Sequence, residues 1–71
     1  MKGELIYDMQ TKRLDILGED GSHWGGLHCG NVIEVYNGEE WVSTRVEYSS
    51  DWYLVGMYGV DEIPFGLQVR I

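Results

Sequence analysis

His23, His28 and Cys29 are the only imidazole and thiol side chains in the chain, and they fall in one short stretch. Any metal chemistry would have to start there. Structural zinc takes four ligands in paired spacings such as Cys-x2-Cys, and catalytic zinc takes three with an open position. The stretch supplies neither, and His28 and Cys29, as neighbours in an extended chain, point to opposite sides. The expectation is no metal and no cofactor, with the histidines facing solvent in a loop and Cys29 acting as a small buried hydrophobe. A Cys–His nucleophile pair is disfavoured for the same reason, because no third group is spaced to orient it. Cys29 should therefore be replaceable by Ser at modest cost in stability.

Twelve Asp and Glu side chains are so plentiful that pairing two as acid and base would succeed by chance. Glycosidase-type catalysis needs a cleft holding its carboxylates about 5–10 Å apart, and solvated surface accounts for most of them. Gly25-Gly26 and Gly56-Met57-Tyr58-Gly59 lack the spacing of phosphate-binding loops and read as turns or bulges. No catalytic residues are assigned, and the chain is not expected to be an enzyme.

The acids are unevenly placed. Glu19-Asp20, Glu39-Glu40 and Asp61-Glu62 form three doublets, each in a stretch that reads as a loop. Against a net charge of −7, the five cations Lys2, Lys12, Arg13, Arg45 and Arg70 are scattered, which disfavours direct nucleic-acid binding. Two readings of the doublets stay open. Polar turns can simply keep the protein soluble. Alternatively, Tyr36 and Trp41, which flank the Glu39-Glu40 doublet in sequence, contact a basic or Pro-containing segment of a partner protein together with the acids. An acidic surface that mimics nucleic acid and occupies a basic groove on a nucleic-acid-binding enzyme is the alternative function. Trp41 should lie on the outer face of its strand as a binding anchor.

The elements that must position these residues are short strands. A chain of 71 residues, 13% aromatic and with 10 Gly but 1 Pro, is expected to form one domain over residues 1–71. Leu5, Tyr7 and Met9 alternate with Glu4, Ile6 and Asp8; Leu14 and Ile16 alternate with Arg13 and Asp15; Gln10-Thr11-Lys12 forms the intervening hairpin tip. Residues 18–31 read as a long irregular connection closing on the core through Trp24 and Leu27. Ile33 and Val35 share a face, Asn37-Gly38 marks a tight hairpin, and Val42, Thr44, Val46 and Tyr48 share the next face. Ser49-Ser50-Asp51 is a turn, Trp52 to Met57 a further strand, Tyr58 to Phe65 a loop with a 3₁₀ turn at Pro64, and Leu67, Val69 and Ile71 a final strand. The fold expected is all-β: five or six short, mostly antiparallel strands in a small barrel, with a core of Leu5, Leu14, Ile16, Ile33, Val35, Val42, Val46, Val55, Leu67 and Val69. A lone cysteine excludes an internal disulfide and favours a reducing compartment, so a cytoplasmic location is expected. The apolar stretch Trp52 to Val60 is interrupted by Gly56 and Gly59 and is too short to span a membrane as a helix.

Gly30-Asn31-Val32-Ile33-Glu34-Val35, then Trp41 after an acidic turn, then Ile63-Pro64 before the last strand, resembles the order of landmarks in SH3 domains. Leu5-Ile6-Tyr7-Asp8-Met9 is similar to the Ala-Leu-Tyr-Asp-Tyr motif that opens them, with Met9 for the second tyrosine. Phe65-Gly66-Leu67 stands where those domains have the Ser-Asn-Tyr of a proline-binding groove. The whole chain also resembles a short bacterial family of unknown function with SH3-like barrels, found in Gram-positive gut bacteria and often on mobile elements. The resemblance implies an SH3-like barrel in which the three acidic doublets flank one binding surface, with Tyr36 and Trp41 between them inside a negative rim, and it implies no activity.

Overall fold

A computed structural model describes residues 1–71 throughout. It contains six strands: β1 (Lys2–Asp8), β2 (Arg13–Leu17), β3 (Val32–Tyr36), β4 (Trp41–Tyr48), β5 (Trp52–Leu54) and β6 (Gln68–Arg70). They form one antiparallel sheet in the order β2-β1-β6-β3-β4-β5. Each hairpin is set by local chemistry. Between β1 and β2, the Lys12 N–H donates to the Asp8 carbonyl at 2.7 Å and the Gln10 N–H to Asp8 Oδ1 at 2.9 Å. Met9 therefore lies in the turn instead of continuing the β1 alternation. Between β3 and β4, Asn37 Oδ1 accepts from both Glu39 and Glu40 N–H at 2.9 Å while Gly38 takes a φ of 100°, a conformation glycine adopts without a Cβ penalty.

The core comprises Leu5, Leu14, Ile16, Leu27, Ile33, Val35, Val46, Trp52, Leu54 and Val69. Three expected members are displaced: Val42 is half-buried, Val55 is exposed, and Leu67 packs only partly against the cluster. The reversal in β5 has a simple cause. Leu54 pairs with inward-facing Val46 and Trp52 with Tyr48, so the even-numbered residues of β5 face inward. The strand also ends at Leu54, short of Met57, because Gly56 turns the chain at a φ of 70° and Leu54 and Tyr58 exchange backbone hydrogen bonds. Nor does Pro64 sit in a 3₁₀ turn; it lies in irregular chain before a turn at Phe65-Gly66. Leu27 enters the core as expected, whereas Trp24 stays 47% exposed. Cys29 is exposed, contrary to its reading as a buried hydrophobe, because it occupies the tip of a turn in which the Asn31 N–H donates to the His28 carbonyl.

The two sheet edges nearly meet. No ladder joins β5 to β2, but the Trp52 indole N–H donates to the Lys12 carbonyl at 3.0 Å and the Arg13 guanidinium lies 5.7 Å from the Trp52 ring centre. The outer edge of β2 is covered by residues 23–27, where Trp24 N–H donates to Ile16 O and Leu27 N–H to Leu14 O. Asp15 fixes that cover. It is 2% exposed, and its Oδ1 accepts from the amides of Ile16 at 2.8 Å and of Gly25 and Gly26 at 3.0 Å.

Two stability measurements check this packing. Val46→Ala, at a fully buried site, should cost about 1–3 kcal/mol in urea unfolding through lost burial and the cavity left behind. Asp15→Ala strands three amides that had a charged acceptor and should cost about 3 kcal/mol; a loss under about 1 kcal/mol would show that water replaces the carboxylate and that the cover does not depend on it.

Candidate functional site

Strand register places Trp41 on the outer face of the sheet, next to its cross-strand partner Tyr36, with ring centres 5.3 Å apart. The surroundings differ from the expected negative rim. Arg70 lies 4.2 Å from the indole centre and Lys2 5.7 Å, while Arg70 Nε also donates to Glu34 Oε1 at 2.9 Å. The reason is topological: β6 sits between β1 and β3, so Lys2, Arg70 and Glu34 form one cross-strand row beside Trp41. Trp41 is half-buried under these cations, and the Tyr36 hydroxyl donates to the Gly38 carbonyl at 3.1 Å. This pair braces the β3–β4 hairpin.

A different aromatic surface opens where β5 and β2 fail to pair. It is a groove of about 330 Å³. Tyr7 of β1, Leu14 of β2 and Trp52 of β5 line it, together with Ile63 and Phe65 from the loop before β6. Tyr7 and Phe65 meet edge to face, 6.5 Å between centres, and are 40% and 52% exposed. Its two charged lining residues are both acids, Asp51 and Asp61. Asp51 Oδ1 accepts the Trp52 backbone N–H at 2.8 Å. Loop residues reach the groove because Leu5 and the following strand edge hold them: Leu5 N–H donates to Leu67 O at 2.8 Å and Gly66 N–H to Leu5 O at 2.9 Å. Tyr7 lies in the stretch that resembles the SH3 opening motif and was the available sequence signal for this groove, whereas Phe65-Gly66-Leu67 departs from the Ser-Asn-Tyr of those domains. Asp51 and Trp52 carried none.

The acidic doublets separate. Glu19 lies near Lys2 and Glu4 at the start of β1, whereas Asp61 shares the groove with Tyr7 near its other end. Glu39 and Glu40 are exposed in the β3–β4 turn, and Glu62 N–H closes a turn onto the Gly59 carbonyl at 3.1 Å. His23 bridges to Leu17, and His28 N–H donates to Asn31 Oδ1; no three His, Cys, Asp or Glu side chains are grouped as a metal ion would require. Asp20 has a local task. The Ser22 hydroxyl donates to its Oδ1 at 2.6 Å and the Ser22 N–H at 3.0 Å, and these bonds hold the Asp20 carboxyl below its ordinary pKa. A carboxyl depressed in the folded state adds stability above its unfolded pKa and loses that contribution as pH falls through the folded value. Ser22→Ala should thus raise the Asp20 midpoint in an NMR pH titration; an unchanged midpoint would remove the hydroxyl as the cause.

The whole chain is similar to a protein from Ruminococcus gnavus whose crystal structure was determined by structural genomics. The two are 42% identical and superpose with a TM-score of 0.86 over 100% of each chain. No curated protein matches. A family model described as a domain of unknown function, DUF5348, matches residues 3–71, and the chain belongs to that family.

Proposed function

We propose that this protein is a noncatalytic interaction module that takes an extended basic or Pro-containing segment of a partner protein into the groove at Tyr7, Trp52 and Phe65. The observation that carries the reading is the groove itself: exposed aromatic rings in a concave, mostly apolar site with acidic side chains and no basic ones. Aromatic side chains supply large contact area at low cost in conformational freedom, and they dominate binding hot spots. The Tyr36–Trp41 pair is less suited to a basic partner, since Arg70 and Lys2 already lie against the indole. The decoy alternative is not favoured, because Glu19 and Asp61 sit at opposite ends of β1 and do not form one phosphate-like array.

The test is selection of peptide ligands from a display library followed by NMR mapping. Ligands should perturb Tyr7 and Phe65. Phe65→Ala should weaken binding by about 2 kcal/mol and leave the fold intact, because its ring is largely exposed. Ligands that instead perturb Tyr36 and Trp41, and bind Phe65→Ala unchanged, would place the interaction surface on the other face.

A further inference from the structure

A second groove, of about 350 Å³, opens beside Trp52 and shares only that residue with the groove at Tyr7 and Phe65. Its charge is the reverse of the molecule's. Although the chain carries 12 acids against 5 Lys and Arg, this groove is lined by Lys12 and Arg13 and by no carboxylate. Neither cation takes part in the ion pairs Arg45–Glu47 and Arg70–Glu34, and the remaining one, Lys2, shares its own groove with Glu4 and Glu19. One buried side chain positions the lining. The Trp52 indole N–H holds the Lys12 carbonyl at 3.0 Å, its ring lies under the Arg13 guanidinium, and it meets Tyr48 edge to face with 5.1 Å between centres. Arg13 is thus held by its face. Of its N–H groups only Nη1 finds an acceptor, the Leu27 carbonyl at 3.5 Å, and the Lys12 ammonium has no protein partner. Tyr48 completes the site with a ring that is 54% exposed.

We propose that this groove binds a nucleoside monophosphate, its phosphate against Lys12 and the free edge of Arg13 and its base stacked on Tyr48. A guanidinium stacked on a ring keeps its in-plane N–H groups for an anion, and a planar fork beside a point charge suits a phosphate. Every base has a π-face, so an exposed ring serves as its platform. The groove volume matches small-ligand sites, which run from about 300 Å³ upward. Size also decides between a nucleotide and a strand: a nucleic acid would bring a row of phosphates against a chain of net charge −7, whereas a mononucleotide brings one. This site stands apart from the partner-segment reading and does not depend on it.

NMR titration of the intact protein at constant ionic strength, comparing adenosine 5′-monophosphate (AMP) with adenosine and with ribose 5-phosphate, tests the proposal. AMP should shift the Lys12 and Tyr48 signals and bind at least about tenfold more tightly than either fragment. Equal binding of ribose 5-phosphate would overturn the stacked base, equal binding of adenosine would overturn the phosphate contact, and no binding of AMP would overturn the site. Lys12→Asn removes the charge with a residue that tolerates the Lys12 φ of 57°, and Tyr48→Leu removes the ring while staying apolar. Each should weaken AMP at least about fivefold with the amide spectrum still dispersed; undiminished affinity in either folded variant would defeat the assignment. Cys29, the sole thiol, also lines the groove and gives a readout in the wild-type protein. Saturating AMP should slow its alkylation by iodoacetamide several-fold, and an unchanged rate would place the nucleotide elsewhere.

Discussion

One carboxylate oxygen organises the irregular connection between β2 and β3. Asp15 Oδ1 gathers the amides of Ile16, Gly25 and Gly26, and a buried charge is tolerable only when donors replace its hydration in this way. Gly25 and Gly26, with φ of 116° and 98°, are free to turn both their N–H groups toward it. Once that loop is fixed, the next residue, Leu27, is delivered into the core. The chain then continues to Gly30 and Asn31, which exchange backbone hydrogen bonds with Val46 of β4. The irregular segment thus spans from one side of the curled sheet to the other.

This bridge explains how so small a sheet avoids exposed edges without closing its ladder. Unpaired strand edges invite association with other chains. Residues 23–27 cover the edge of β2, while Tyr58 folds back to take the Leu54 amide of β5. Trp52 joins the two sides through its indole N–H and through Arg13 over its ring. Side chains and loops thereby do the work that a continuous ladder performs in a closed barrel. Gly3 shows how tightly the opposite wall is drawn, for a Cβ there would overlap the Leu17 carbonyl and press on Ile16.

What could be read from the sequence follows from how local each cause is. The β3–β4 hairpin was legible because Asn37-Gly38 specifies the turn and Ile33, Val35 and Val46 keep a strict period of two. The strand at Trp52 was legible too but its facing was not, since Trp52, Tyr53, Leu54 and Val55 are apolar at every position and only pairing with Val46 decides which of them face inward. Asp15 reads as an ordinary outward partner of Leu14 and Ile16 until a loop ten residues away covers it. The groove draws on β1, β2, β5 and the loop before β6, so only the motif around Tyr7 hinted at it. The crowding of Arg70 and Lys2 onto Trp41 depends on β6 lying between β1 and β3, an order that no local pattern encodes.

The distribution of charge ties the fold to the proposed role. Lys2 and Arg70 lie over Trp41, Arg13 lies over Trp52, and Arg45 pairs with Glu47, which leaves Lys12 as the one Lys or Arg side chain not engaged by a ring or a carboxylate. The positive side chains are thus spent on bracing the sheet, and among the 12 acids only Glu34 and Glu47 form an ion pair inside the molecule. An unbalanced field of this kind contributes little to a small domain's stability and opposes compaction through self-repulsion. It does steer a basic partner toward the surface before contact. On the proposed reading the groove is where that steering ends, because the gap that β5 and β2 leave open exposes Tyr7 and Phe65 and lets Asp51 and Asp61 face the same space.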